Sequence, residues 1–258
     1  MTDLAHVRQS WPLPTHRRPI VVVGAGGIVH DAHLPAYLKA GLEVAGIFDL
    51  NQDKARKLAE QFHIPLVAKS LDALITAAPA DAVWDLALPA AAHQAVLEAL
   101  PDESLVLMQK PMGDDLAMAG QLLDACHRKR HTCAINHQLR FAPYCLAARD
   151  LIDRGLIGEL HTLEVRLTVY TPWHLWDFLE KVPRMEIQYH SVHYIDMIRA
   201  FLGEPQGVDC MTVKHPEAQK LASVRTRITL NYGQDCYVGI TANHCHKFGA
   251  THQESYIL

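Results

Sequence analysis

The sequence lacks the features that mark membrane, secreted and disulfide-bonded proteins. The apolar stretch at 19–29 is short and rich in glycine, so no segment provides the roughly 20 residues that cross a membrane as a helix. The N-terminal segment has neither the apolar core nor the flanks of a signal peptide. None of the six cysteines has C-x-x-C spacing, so we expect reduced thiols in a cytoplasmic protein.

A strong charge bias is also missing. Lys and Arg number 24 against 28 Asp and Glu, which gives a formal net charge of -4, and the basic residues are scattered. This distribution offers no patch for a nucleic acid or an anionic membrane, so we expect neither partner. With 258 residues, 49% of them hydrophobic, the chain predicts one or two globular domains with a sizeable core.

One segment stands out, P-I-V-V-V-G-A-G-G-I-V-H at 19–30. A buried strand that runs into glycines and then a helix is typical of a dinucleotide-binding turn, with the phosphates at the helix N-terminus. Gly24 permits the tight turn, Gly26 lets a pyrophosphate approach the backbone, and Gly27 and Ile28 follow at the helix start. Val29 stands where a glycine or alanine is usual. Such turns also occur in α/β folds that bind no nucleotide, so the turn alone leaves both possibilities open.

The next predicted strand, 42–48, supports the dinucleotide interpretation. It ends in Asp49, twenty positions after Val29, where a carboxylate that binds the ribose hydroxyls is expected. A carboxylate repels a 2'-phosphate, so Asp49 favours NAD. Lys54 and Arg56 follow on the next helix and leave NADP as an alternative.

Strand and helix patterns alternate as far as residue 136, which predicts a doubly wound parallel sheet of the Rossmann type. Asn51 is expected to cap one helix and Asp114 another, whose apolar stripe is Leu116, Leu122, Leu123 and Cys126. After the first strand, five more are predicted, at 42–48, 65–68, 82–88, 104–108 and 131–135.

The rhythm changes after residue 136. Helices are predicted at 143–154 and 188–202, and strands at 159–170, 207–214, 222–231 and 236–244. Consecutive strands with little helix between them predict an open, mainly antiparallel sheet. The expected organisation is an extended lead-in at 1–18, a dinucleotide-binding domain at 19–136 and a substrate and oligomerisation α/β domain at 137–258.

Four short motifs, in this order, resemble the glucose-fructose oxidoreductase / inositol dehydrogenase / MocA (Gfo/Idh/MocA) family of nicotinamide-dependent oxidoreductases. They are G-A-G-G-I-V-H-D-A-H-L-P-A-Y at 24–37, A-L-P-A-A-A-H at 87–93, Q-K-P at 109–111 and H-Y-I-D at 193–196. The resemblance implies a Rossmann domain followed by an α/β domain whose open sheet often packs in oligomers. Family members usually continue past the position of Leu258, so the second domain is expected to be truncated or completed otherwise.

The resemblance also implies the chemistry. Lys110, after the fifth predicted strand, would polarise the substrate oxygen, and His193 would take the hydroxyl proton while a hydride leaves for the nicotinamide. Asp196, three residues on, would orient the imidazole. Tyr189 stands where many members have an aspartate and would donate a hydrogen bond or relay a proton, and Gln109 replaces the usual glutamate.

The other residues expected to bind cofactor or substrate fall into two groups. The cofactor-binding set, which includes residues that match the family motifs, is Gly24, Gly26, Gly27, Ile28, Val29, Asp49, Leu88, Pro89, His93, Gln109 and Lys110. The substrate-binding set, rich in aromatic rings and hydrogen-bonding groups, is Trp173, Trp176, Arg184, His190 and His193.

These observations predict an NAD(P)-dependent dehydrogenase or reductase that acts on a sugar, cyclitol or related polyol, as a homo-oligomer formed through the second sheet. Two alternatives remain open, a glycosidase that uses tightly held NAD and a regulator that binds nucleotide or sugar without turnover. A metal site is not expected, because the histidines and cysteines lack ligand spacing.

Overall fold

A computed structural model describes residues 6–173, 177–247 and 252–257. The chain folds as two compact units, one formed by Pro12–Asn136, the other by residues 6–11 with the described part of 137–258. Each unit is built around its own sheet.

The first unit contains a parallel sheet in the order β2-β1-β3-β4-β5. Its strands are β1 Ile20–Val23, β2 Val44–Phe48, β3 Val83–Leu86, β4 Leu105–Met108 and β5 Thr132–Ile135. The helices between them are α1 Leu34–Ala40, preceded by a π-helical turn Val29–His33, α2 Gln52–Phe62, α3 Leu71–Ala77, α4 His93–Ala99 and α5 Leu116–Arg128.

Side chains of β1 alternate between two cores. Ile20 and Val22 pack with α1 and α2 on one face of the sheet, whereas Val21 and Val23 pack with α4 and α5 on the other. A strand that is buried on both faces needs helices on both, so the predicted doubly wound fold is confirmed.

Two local predictions in this unit were wrong. The segment 65–68 forms an isolated parallel bridge from Val67 to Ile47 instead of a sixth strand of the described sheet. Helix α5 is capped by Asp115, whose carboxylate accepts the Met118 N–H at 2.8 Å, one residue later than expected. Of the predicted apolar stripe, Leu122 and Cys126 are buried, whereas Leu116 and Leu123 are exposed.

The second unit contains a mixed sheet in the order β10-β6-β9-β8-β7. Among these described strands β6 and β9 run parallel, and the other neighbouring pairs are antiparallel, which confirms the predicted mainly antiparallel sheet. The strands are β6 Thr162–Thr168, β7 Gly207–Val213, β8 Arg225–Asn231, β9 Tyr237–Asn243 and β10 His252–Ile257, and the helices are α6 Pro143–Asp153 and α7 Val192–Leu202.

One face of this sheet is covered. Alternate residues of β6, β8 and β9, such as Leu163, Ile228 and Ile240, form a core with Met197 and Ile198 of α7. A second, smaller core lies around Trp173, Leu179, Val182, Met185, Leu221 and Val224.

Candidate active site

The loops of the first unit that carry the predicted cofactor residues meet at the carboxyl edge of the parallel sheet. The N–H of Gly24 donates to the Phe48 carbonyl at 2.7 Å, and that of Ala87 donates to Val23 at 2.9 Å. The N–H of Gln109 donates to Leu86 at 3.0 Å. Ligands of open α/β sheets bind at this edge.

The glycine turn fits a dinucleotide. Gly24 has a φ of +111°, and a Cβ there would lie 2.4 Å from the Ala87 carbonyl oxygen, so only glycine is tolerated. A Cβ on Gly26 would meet no atom within 4 Å, which leaves its backbone open to a phosphate. The Gly26 carbonyl accepts the N–H groups of Val29 and His30, so the helix N-terminus begins at this residue.

The next three residues, Gly27, Ile28 and Val29, differ in their exposure to solvent. A Cβ on Gly27 would make only ordinary contact, 3.7 Å from the Asp31 carboxylate, and Ile28 is exposed. Val29 is fully buried, and the helix widens into the π-helical turn Val29–His33 at this residue. Of these residues, Val29 therefore serves packing, because its side chain has no exposed surface.

His33, from the H-L-P-A tail of the first motif, ties this helix to the sheet. Its Nδ1 lies 2.7 Å from the Asp85 carboxylate on β3, and its Nε2 lies 3.3 Å from the Asn136 amide. The Tyr37 hydroxyl donates to the same carboxylate at 2.9 Å. Burial and the Asp85 charge raise the pKa of Tyr37 above its usual range.

Asp49 stands next to the glycine turn. Its carboxylate accepts the N–H of Ala25 and the N–H of Asn51, each at 2.7 Å. A carboxylate has about four acceptor sites, so two backbone bonds leave capacity for ribose hydroxyls. The nearby Arg56 pairs with Asp53, at 2.5 Å.

The motif residues in the loop after β3 differ in their burial. Leu88 packs partly against the core, and Pro89 begins a 3₁₀ turn, Ala90–Ala92. His93 is fully buried, and this burial lowers its pKa to about 4, against the opposing influence of the Leu86 carbonyl and Asp114. His93 stays a predicted cofactor residue, and its side chain has no exposed surface in the described structure.

Gln109 and Lys110 follow β4 at the same edge. Both side chains are half-buried, and the Lys110–Pro111 peptide bond is cis. Burial lowers the pKa of Lys110 from 10.5 to about 8, because a partly dry site disfavours the ammonium form.

In the second unit, His193 and Asp196 both lie on α7 and are buried. The His193 ring packs edge-on to His137, with centroids 5.8 Å apart. Both Asp196 oxygens accept hydrogen bonds from Arg140, whose Nε lies 2.8 Å away. Arg140 was not among the predicted residues, because the pair is far apart in sequence. The structure thus gives Asp196 an ion-pair partner other than the imidazole it was expected to orient.

Tyr189 lies in a π-helical turn, Ile187–Ser191, that precedes α7. Its ring packs against Phe178, with centroids 5.7 Å apart, and against the core around Trp173. Tyr189 stands four residues before His193, a spacing that places two residues on one face of a regular α-helix. A turn with i to i+5 bonding changes that spacing.

The predicted substrate residues are partly assembled. Trp173 and His190 pack with centroids 4.9 Å apart, and His244, which was not predicted, lies 4.4 Å from His190 and 5.2 Å from Trp173. Arg184 is exposed, and Trp176 lies outside the described residues. A cavity of about 390 Å³ adjoins Trp173 and is lined by Tyr170, Thr171, Glu180, Pro216, Glu217, Ala218, Gln219, Lys220, Leu221, His244, Cys245 and Lys247.

The described residues contain neither a metal centre nor a membrane span. Among them, no group of three or more His, Cys, Asp or Glu side chains is arranged to hold a metal ion. No described helix combines the length and apolar character needed to cross a membrane.

Two protein-family models cover most of the chain. Residues 18–137 match the model described as "Oxidoreductase family, NAD-binding Rossmann fold", and residues 145–256 match the GFO/IDH/MocA C-terminal domain. The chain belongs to the Gfo/Idh/MocA family. The expected family and its NAD-binding Rossmann domain are thereby confirmed.

Named relatives of this Gfo/Idh/MocA protein include sugar reductases. The dTDP-3,4-didehydro-2,6-dideoxy-alpha-D-glucose 3-reductase of Streptomyces violaceoruber is 32% identical over 152 residues, which are 58% of this chain and 44% of the relative. The 1,5-anhydro-D-fructose reductase of Ensifer adhaerens is 26% identical over 186 residues, 71% and 56% of the two chains. The chain thus spans about half the length of these relatives.

A solved structure shows the same fold. An oxidoreductase from Agrobacterium radiobacter, in complex with NAD+, L-tartaric acid and magnesium, superimposes with a TM-score of 0.80 at 18% identity. The match covers 94% of this Gfo/Idh/MocA chain and 72% of that chain.

Proposed function

We propose that this chain is an NAD(P)-dependent oxidoreductase that transfers a hydride between nicotinamide and a hydroxyl carbon of a sugar, cyclitol or related polyol. The observation that carries this proposal is the carboxyl edge of the parallel sheet, where the open glycine turn follows β1, Asp49 follows β2 and the half-buried Lys110 follows β4. The named sugar reductases among the relatives support the same chemistry.

The residues present suit the cofactor. The Gly24–Gly26 turn and the helix N-terminus would hold the pyrophosphate, and Asp49 would accept hydrogen bonds from the ribose hydroxyls. The remainder of the cofactor would be flanked by Leu88, Pro89 and Gln109. Asp49 favours NAD over NADP, and Arg56 is already engaged by Asp53. When bound, the nicotinamide ring supplies the acceptor or donor of the hydride.

Two side chains are assigned to the substrate hydroxyl. The Lys110 ammonium donates a hydrogen bond to the oxygen and stabilises the negative charge that develops there. The His193 imidazole accepts the hydroxyl proton. Asp196 pairs with Arg140, and this ion pair restrains α7. Tyr189 is assigned the weaker role of hydrogen-bond donor beside this site.

The second unit is proposed to bind the substrate ring. Trp173 and His190 offer ring faces and donors, and Arg184 and Trp176 complete the proposed set. At the cavity, Lys247 pairs with Glu217 at 2.5 Å and Lys220 with Glu180 at 3.6 Å, so its cations are neutralised. A neutral polyhydroxylated ring fits such a lining better than an anionic one.

The test is a substrate panel. The purified protein would be incubated with NAD+ or NADP+ and neutral sugars, cyclitols and polyols, and with NADH or NADPH and the corresponding ketones, while the absorbance of reduced nicotinamide is followed. We expect turnover with at least one neutral substrate and a preference for NAD. Cofactor binding without turnover in either direction over the whole panel would refute an oxidoreductase.

A second candidate function is a regulator that binds nucleotide and sugar without turnover. It is favoured by Tyr189, which replaces the family's usual aspartate and packs against Phe178. Tight binding of NAD and sugar in calorimetry, with no hydride transfer, distinguishes this function from the first. Cofactor that survives purification, with cleavage of glycosides and no net reduction, would instead indicate an NAD-dependent glycosidase.

The cellular context is also proposed. All six cysteines are unpaired thiols, which suits a reducing compartment such as the cytoplasm. Val208 and Met211 are exposed on β7, an edge strand of the second sheet, and apolar exposure there supports a homo-oligomer formed through that sheet. We also propose that 19–136 is the dinucleotide-binding domain and 137–258 the substrate domain.

A further inference from the structure

A chain of buried polar groups lies beside the π-helical turn Ile187–Ser191 and has no role in the chemistry proposed above. Glu186 is 0% exposed and His244 is 1% exposed. The Glu186 carboxylate lies 3.1 Å from Nε2 of His244 and accepts the Ser191 hydroxyl at 2.9 and 3.0 Å. Nδ1 of His244 lies 2.9 Å from the Thr171 hydroxyl.

The Glu186 carboxylate joins two partners, the His244 imidazole and the Ser191 hydroxyl. The Ser191 hydroxyl donates to the same carboxylate from five residues further along the helix. That separation matches the i to i+5 spacing of a π-helical turn, so the side-chain bond spans the turn itself.

The other end of the chain is anchored in the sheet. Thr171 follows β6 and His244 follows β9, and these two strands are parallel neighbours. The Thr171 N–H donates to the His244 carbonyl at 3.1 Å, so the two strand ends are also joined through the backbone. A continuous set of bonds therefore connects two strand ends to the start of α7.

Burial of a carboxylate is a poor way to gain stability. Its desolvation is costly, and well-packed apolar residues in place of such a pair are often neutral or stabilising. The groups around Glu186 instead restrain one turn, and His193 comes two residues after Ser191 in the same continuous helix.

We propose that Glu186 and His244 are positioning residues that hold the turn Ile187–Ser191 and so fix the direction of His193. The importance of His193 rests on the proposed function, whereas restraint of the turn does not. The two parts can therefore be tested separately.

The first measurement is amide hydrogen exchange on the cofactor-free protein, with the variants Glu186→Gln and Ser191→Ala. We expect exchange in peptides that contain residues 187–193 to accelerate about tenfold, while the strands of both sheets keep their protection. Glu204→Gln is the matched control, because Glu204 is exposed, lies beyond the end of α7 and pairs with Arg199 in the last turn of that helix. It should leave exchange at the turn unchanged.

The second measurement is steady-state kinetics on the substrate found in the panel. Misdirection of His193 should lower kcat by about 10- to 100-fold while the Kd for NAD stays constant and KM changes little. If the Glu186→Gln variant does not fold, the same measurements on the Ser191→Ala variant provide the test, because that variant loses only one hydroxyl.

The proposal is overturned if the turn keeps its exchange rate in a folded variant, or if protection falls equally throughout the second unit. Accelerated exchange at the turn with unchanged kcat would overturn the link to His193. If no substrate is turned over by the unmodified protein, the exchange result still decides whether the pair holds the turn, and only the proposed function fails.

Discussion

Separate replacement of Gly24 and Gly26 by alanine should separate folding from cofactor binding. At Gly24 the φ of +111° strains any L-residue by about 1–3 kcal/mol. The new Cβ would also lie 2.4 Å from the Ala87 carbonyl oxygen, and overpacking against backbone adds a similar cost. We expect Gly24→Ala to lose about 2–6 kcal/mol of stability, which lowers the Tm by on the order of 10 °C.

Gly26→Ala is the matched variant. Its Cβ meets no atom within 4 Å and its φ is outside the left-handed region, so stability should stay constant or rise by about 0.4–1 kcal/mol. The methyl group would occupy the space assigned to the pyrophosphate, so the Kd for NAD should rise at least about tenfold. Thermal denaturation without cofactor measures the first effect, and calorimetric titration with NAD measures the second. A Gly26→Ala protein that binds NAD as tightly as the unmodified chain would show that the turn does not hold the phosphates.

Four further predictions concern the activity and the stability contributed by Lys110, His193 and Arg140. Burial lowers the pKa of Lys110 to about 8, so its ammonium form is lost as the pH rises through that value. We therefore expect kcat/KM for the oxidation to fall above about pH 8 in a pH profile. The unfolded chain keeps this proton up to about pH 10.5, so the Lys110 contribution to folding stability should increase between pH 8 and 10.5, as a comparison with Lys110→Met in urea denaturation would show. His193→Asn should lower kcat by about 10²- to 10⁴-fold with an unchanged NAD affinity, and equal loss in His137→Asn would argue against a special role for His193. Arg140→Met should cost about 3 kcal/mol in thermal denaturation, because it leaves the buried Asp196 carboxylate without its partner, and an unchanged Tm would contradict that account.

Features set by local sequence could be predicted well. The strand patterns that precede Gly24, Asp49 and Lys110 predicted all three residues at one edge of the sheet, because the carboxyl ends of parallel strands lie at the same edge. Asn51 caps its helix as expected, since its side chain accepts the Lys54 N–H within one turn.

Features set by distant contacts could not be predicted. The 65–68 segment is apolar enough for a strand, but it meets β2 at only one bridge. His93 matches a family position, yet its burial depends on packing around it. Two buried or partly buried pairs join segments more than fifty residues apart, Arg140–Asp196 and Glu186–His244. No local sequence pattern predicts such pairs.

The position of β6 has a consequence for the order in which the second unit assembles. This strand lies between β9 and β10, and both neighbours are synthesised only after α7, β7 and β8. Because β6 and β9 run parallel, no tight hairpin can bring them together. During synthesis, β6 therefore emerges before both of its neighbouring strands, and its two unpaired edges are open to misassociation until β9 and β10 have been made.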